Sequence, residues 1–125
     1  MSGEATQIVT EQETALKLMS GSVAAYSTPS LVSLMERASV AAIHGHMNNG
    51  QTSVGIEVSI RHLAPTPVGM HVKAHAVLEE IHGNRLKFKV EAWDEKERIG
   101  DGLHTRVIID LARFAHGLQE KTRTN

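Results

Sequence analysis

Three side chains far apart along the chain belong to types that can do acid–base chemistry: Thr28, Glu36 and His62. A hydroxyl is a latent nucleophile, an imidazole accepts and returns a proton near neutral pH, and a carboxylate orients the imidazole or takes the proton itself. Each also has an ordinary structural reading. Thr28 stands before Pro29 and reads as an N-cap, with proline at the first helical position where a missing N–H is harmless. The same place carries free N–H groups and the positive end of a helix dipole, which can hold a developing oxyanion. Glu36 lies among valine, isoleucine, leucine and methionine. A buried carboxylate is costly unless paired or hydrogen-bonded, so Glu36 either meets a backbone turn or a structural arginine, or faces a reactive site. His62 is one of eight histidines and ends a strand-like segment before "LAPTP", where a ring can be presented to a cleft.

These groups must be positioned by a helix and strands. In "TPSLVSLMERASVAAI" the residues Leu31, Leu34, Met35, Ala38 and Ala42 form one apolar stripe, Ser30, Ser33, Arg37 and His44 gather opposite, and Gly45 supplies a stop. After "HMNNGQ" the period changes from helical to alternating. "SVGIEVSIRHLAP" sets Val54, Ile56, Val58 and Ile60 against Gly55, Glu57, Ser59 and Arg61. "MHVKAHAVLEEI" and "RLKFKVEAW" repeat the alternation, joined by "HGN", a hairpin signal. The last strand, "IGDGLHTRVIIDL", carries Gly100 and Gly102, which leave room for a neighbouring backbone. Ahead of the helix, "ATQIVTEQET" has weak strand character and residues 19–25 read as a small-residue loop, and at the other end the polar tail "QEKTRTN" is expected to be frayed. One helix and a four-stranded antiparallel meander imply an α+β fold in which the sheet curls around the helix, as a single domain over residues 1–125. Edge strands in so small a subunit favour pairing in a dimer.

Composition narrows the function classes. The chain has 125 residues, 41% of them hydrophobic, enough for one core, and a formal charge of -1 without a Lys/Arg-rich stripe, so nucleic acid is not an expected partner. Cysteine is absent, which excludes thiolate catalysis and sulfur-ligated zinc. His44, His46, His71 and His75 match no established ligand spacing, and no metal or cofactor is expected. No signal-peptide pattern and no membrane-length apolar run is visible, so a cytoplasmic protein that is neither exported nor membrane-bound is expected. Lys73 and Arg106 are candidate contacts for a phosphate group, although solvated surface charge explains both.

The stretches "STPSLVSLMERASVAAI", "SVGIEVSIRHLAPTPVGMHVKA" and "IGDGLHTRVIID" together resemble the hot-dog-fold thioesterases, and most closely the fluoroacetyl-CoA thioesterase-like family. The likeness runs from about residue 26 to residue 121. It implies a helix wrapped by an antiparallel sheet, an acyl-CoA substrate, and a homodimer with sites at the subunit interface, further pairing into tetramers being left open. Position by position it assigns the catalytic threonine to Thr28, the glutamate to Glu36 and the histidine to His62, with Gly55 as a backbone contact to the substrate carbonyl. It also implies that Thr28 and Glu36 face His62 of the partner subunit. One departure is visible. The segment "SGSVAAY" lacks the phenylalanines that fluoroacetyl-selective relatives place there as a gate, which points away from fluoroacetyl-CoA and weakly toward another small acyl group. The expected reaction is hydrolysis of an acyl-CoA thioester. Its rivals are a non-catalytic acyl-CoA binding module and an enoyl-CoA hydratase or dehydratase on the same fold.

Overall fold

The computed structural model describes residues 1–123. Five strands, β1 (Ser2–Ile8), β2 (Gln51–His62), β3 (His71–His82), β4 (Arg85–Asp94) and β5 (Arg98–Asp110), form one antiparallel sheet in the order β1-β3-β4-β5-β2. A one-turn helix α1 (Ala15–Leu18), the long helix α2 (Thr28–Ile43) and a C-terminal helix α3 (Leu111–Thr122) complete the chain. The sheet wraps α2, the α+β arrangement that the alternating tract demands.

The core forms where the two apolar periods meet. Leu31, Leu34, Met35, Ala38, Ala42 and Ile43 of α2 are buried against the inward residues of the sheet, among them Val72, Ala74, Ala76, Phe88, Val90 and Ala92. Small alanines on β3 let the helix sit close to the sheet. Gly3 of β1 takes this furthest, since a Cβ there would collide with the α2 backbone at Ala42 N and Ala38 O. Gly102, at φ 159, is likewise pressed against the β2 backbone at Ser59 and Ile60.

Four expectations are corrected by these elements. The sheet has five strands, because the weakly patterned N-terminus pairs with β3 from Ser2↔Val77 to Ile8↔His71. The strands do not form a simple four-strand meander: β3, β4 and β5 are consecutive, but β2 pairs with β5 at the far edge and not with β3. The loop "LAPTPVG" therefore carries the chain from one edge region to the other, braced by the hydrogen bonds Tyr26 N to Thr66 O (2.9 Å) and Thr66 Oγ1 to Asp94 Oδ2 (2.7 Å). In β2 a bulge at Ile56, between Gly55↔Arg106 and Glu57↔Thr105, breaks the alternation. The extra residue turns Gly55 inward toward α2 and Val54 outward, the reverse of their expected faces. Of the tail "QEKTRTN", expected to be frayed, residues 119–122 continue α3, and residues 124 and 125 lie outside the described residues.

Candidate active site

Helix α2 begins one residue earlier than the proline suggests. Ser27, not Thr28, is the N-cap: its Oγ accepts from Ser30 N at 3.1 Å and its carbonyl from Leu31 N at 3.0 Å. Thr28 and Pro29 then occupy the first two helical positions. This shift frees the Thr28 hydroxyl, which meets His62 Nδ1 at 2.8 Å within the same chain. It also limits the helix end as an anion site, because Pro29 has no N–H and Ser27 already holds those of Ser30 and Leu31. Below the cap, the Tyr26 hydroxyl donates to Gln7 Oε1 at 2.7 Å, and Ser27 N donates to Glu13 O at 2.8 Å, so the turn carrying Thr28 is tied to two other segments.

His62 is the last residue of β2, paired with Gly100, and Leu63 N to Ile99 O (2.7 Å) fixes the strand end. Gly100 has no Cβ to hold α2 away; one would stand 2.9 Å from Leu31 Cδ2 and 3.0 Å from Arg61 O. The His62 ring is half-buried, and its Nε2 is buried without a hydrogen-bond partner among the described residues. Burial disfavours the imidazolium and pushes the His62 pKa below its ordinary value of 6.5. The ring is therefore neutral at physiological pH and able to take a proton. Thr28 and His62 open on a pocket of about 370 Å³ lined also by Val23, Ala25, Leu63 and Ala64.

Glu36 is elsewhere. Eight residues further along α2, it lies about 12 Å down the helix axis from Thr28. It is not fully buried, its side chain being 39% exposed, and its Oε2 lies 3.7 Å from Arg106 Nη1. Gly55 faces this group: a Cβ there would come within 2.9 Å of Glu36 Oε2, 3.0 Å of His104 Cε1 and 3.3 Å of Arg106 Nη1. Arg106 is buried, contrary to its reading as surface charge. Its Nε donates to Ser53 Oγ at 2.8 Å, its Nη2 to Ser53 O at 3.0 Å and its Nη1 to His104 Nε2 at 3.2 Å. Beside them is an open pocket of about 640 Å³ lined by Glu36, Val40 and Arg106.

The four residues singled out from sequence thus form two pairs in one protomer, Thr28 with His62 and Glu36 with Gly55. Of the groups around Glu36, the sequence did not single out Ser53 or His104, and Arg106 was considered only as a phosphate contact or surface charge. A signal for two of them exists in β5, where Gly100, Gly102, His104 and Arg106 share one face at period two and Leu103 and Val107 take the other. A strand that turns its glycines, an imidazole and a guanidinium toward the helix and its aliphatics outward is organised round something other than an oily core. Of the other histidines, His44 lines the rim of the Glu36 pocket, while His71 Nδ1 pairs with Glu95 Oε2 at 3.2 Å on the outer face, and no group of three or more His, Asp or Glu able to hold a metal converges among the described residues.

Comparisons with known proteins bear on this arrangement. The family model "Fluoroacetyl-CoA-specific thioesterase" (FlK) matches residues 9–112. The fluoroacetyl-CoA thioesterase of Streptantibioticus cattleyicolor is 36% identical over 97 residues, 78% of this chain and 70% of the relative. A solved structure of the fluoroacetyl-CoA thioesterase FlK superposes with a TM-score of 0.92 at 29% identity, covering 98% of this chain and 96% of that one. A thioesterase superfamily member from Thermus thermophilus gives a TM-score of 0.89 at 30% identity over 96% of this chain and 89% of that one.

A curled antiparallel sheet about one long helix, with a hydroxyl–imidazole pair where that helix starts, defines a hot-dog-fold protein of the thioesterase type. The chain belongs to the fluoroacetyl-CoA-specific thioesterase family.

Proposed function

We propose that this protein hydrolyses a small acyl-CoA thioester to the free acid and CoA. The observation that carries the reading is the 2.8 Å contact between the Thr28 hydroxyl and His62 Nδ1 at the mouth of a pocket, a nucleophile resting on a base kept neutral by burial. In the proposed reaction Thr28 Oγ1 attacks the thioester carbonyl as its proton passes to His62. The C–S bond then breaks, and the imidazolium protonates the leaving CoA thiolate. Water, deprotonated by the restored imidazole, then attacks the acyl-threonine carbonyl, the C–Oγ1 bond breaks, and the imidazolium returns its proton to Thr28 Oγ1 as the acid leaves. The pocket of about 370 Å³ beside Thr28 and His62 has room for a small acyl group. A cytoplasmic setting fits a chain without cysteine and with no described helix long and apolar enough to cross a membrane.

The second half of the proposal is a composite site in a homodimer. β2 is an edge strand, and exposed apolar side chains lie along and beside it: Ile56 at 47%, Val58 at 38% and Val40 at 41%. Two β2 edges paired antiparallel about Val58 would set His62 of one chain opposite Val54 of the partner subunit, next to Gly55 and Glu36 of the partner subunit. This brings the two half-sites into one crevice. Gly55 then offers its backbone to the substrate oxygen, and Glu36 adds the carboxylate that Thr28 and His62 lack in their own protomer. The partition differs from the one the family resemblance implied, since Thr28 and His62 come from the same chain.

A thiol-release assay over a panel of acyl-CoA esters tests the function. Turnover of short-chain esters, abolished by His62→Ala, is expected. CoA-ester binding by calorimetry with no thiol released from any ester would leave a binding module in its place.

A further inference from the structure

We propose that His104 is a positioning residue for the reaction: as a neutral imidazole protonated at Nδ1, it steers Arg106 and through it the carboxylate of Glu36. The inference rests on the thioesterase reading and on Glu36 having a share in the site.

His104 is 1% exposed and sits on the inward face of β5. Its Nδ1 lies 2.9 Å from the carbonyl oxygen of Glu57, which can only accept, so the ring proton is on Nδ1. Nε2 is then an unprotonated acceptor, and Arg106 Nη1 donates to it at 3.2 Å. A guanidinium has five donors and no acceptor, and three of its contacts here are fixed by Ser53 Oγ, Ser53 O and His104 Nε2. Among the described residues only the His104 hydrogen bond engages Nη1, the nitrogen that faces Glu36 Oε2 at 3.7 Å. Ser53 anchors the Nε and Nη2 edge of the rigid guanidinium, and His104 adds the third bond that keeps its Nη1 corner seated against Glu36.

The surroundings show why this position takes histidine. From β4 the ring of Phe88 stacks on His104 with centroids 6.2 Å apart, from β2 the Glu57 carbonyl fixes the tautomer, from α2 Glu36 approaches, and from β5 Arg106 closes the cluster. Gly55 is open enough to admit the ring edge, His104 Cε1 standing 3.0 Å from where a Cβ would be. A flat group with one donor and one acceptor on opposite edges satisfies both neighbours in this slot. Protonation at Nε2 would remove the acceptor and set two cations 3.2 Å apart, releasing Nη1 and leaving Glu36 without a defined partner. Burial lowers the tendency of His104 to protonate, the Glu57 carbonyl opposes it, the nearby guanidinium adds to the lowering and Glu36 opposes it, the net direction being downward, so the release belongs to acid pH.

Two variants and one spectrum test this. His104→Gln keeps a neutral acceptor that does not titrate, and His104→Leu removes it at similar volume. With the folded state of each checked by circular dichroism, Leu is expected to lower kcat by about tenfold or more while KM changes by less than about threefold, and Gln is expected to recover most of the loss. The acid limb of kcat against pH is expected to be steeper than one proton in the unmodified enzyme and to fall to a single-proton slope in His104→Gln. Nitrogen-15 NMR of the unmodified protein is expected to show His104 protonated at Nδ1 and bare at Nε2 at neutral pH. Equal damage by Gln and Leu, or an unchanged acid limb in Gln, overturns the positioning role. A proton found on Nε2 overturns the arrangement even if no acyl-CoA is turned over, so the failure of the thioesterase reading and the failure of this one are told apart.

Discussion

The hydroxyl of Thr28 lies 2.8 Å from Nδ1 of His62, across a separation of 34 residues, because Ser27 has taken over the capping of α2. Had Thr28 been the cap, its oxygen would be committed to a backbone N–H and unable to reach the ring. Thr28→Val, which keeps the shape and removes the hydroxyl, is expected to lower kcat/KM by roughly 10²- to 10⁴-fold with little change in stability. Thr28→Ser, which keeps the hydroxyl, should retain far more. Steady-state thiol release checks both, and equal activity of Val and the unmodified enzyme would remove Thr28 from the chemistry.

The proposed division of the site between two protomers predicts complementation. Thr28→Val and Glu36→Gln are each expected to be nearly inactive as pure proteins. Subunits mixed and reassociated from the two should recover about a quarter of full activity, since half the dimers are hybrids and each hybrid holds one intact site of two. A site closed within one chain gives no recovery on mixing.

Acid sensitivity follows from the two half-site imidazoles. Burial lowers the pKa of both His62 and His104 below 6.5, so in the unfolded chain these rings bind protons at a pH where the folded protein does not. Stability therefore rises with pH in this window, is complete above about 6.5, and is lost as pH falls through the folded-state values. Asp94, Glu95 and Asp101, held below their ordinary range by hydrogen bonds, add a further loss at lower pH. Thermal unfolding between pH 8 and pH 5 is expected to show a falling midpoint, and kcat/KM should fall with it through protonation of His62. A midpoint that rises on acidification contradicts the neutral, buried rings.

Gly55→Ala separates fold from site. The new methyl would stand 2.9 Å from Glu36 Oε2, the far end of a flexible side chain that can swing away, so unfolding should shift by only a few degrees, about 1 kcal/mol or less. Displacing Glu36, together with the crowding at His104 Cε1, is expected to lower kcat by about tenfold or more. Gly3→Val is the opposite case. Its side chain meets helix backbone that cannot swing, so it should lower the unfolding midpoint by about 5 to 15 °C. Calorimetry together with turnover distinguishes the two classes of effect.

The candidate site was legible in its parts and illegible in its connections. Thr28, Glu36, His62 and Gly55 stood out by residue type and by likeness to a family, and α2 with its apolar stripe could be read almost to the residue. Glu36 carried two readings, and its observed partner within the protomer is an arginine, the structural alternative. Arg106 was misread as surface charge because the bulge at Ile56 and the inverted face of β5 bring it under α2. His104 passed unnoticed for the same reason. The first strand showed only as weak strand character in "ATQIVTEQET" and was left out of the sheet, because "SGEATQI" is too small and polar to show a clear period, and only its pairing with β3 gives Gly3 a purpose.

Local chemistry is what the sequence alone determined: the proline-marked helix start, the alternation of β3 and β4, the absence of thiols and the residues able to act as nucleophile, base and acid. These follow from covalent geometry and side-chain type, which each residue carries wherever it is placed. Tertiary structure decided which of them meet. The order of strands, one extra residue in β2 and a cap shifted by one position paired Thr28 with His62 and Glu36 with Arg106, because contacts between distant segments depend on register, and register is set by the packing of the whole sheet against α2.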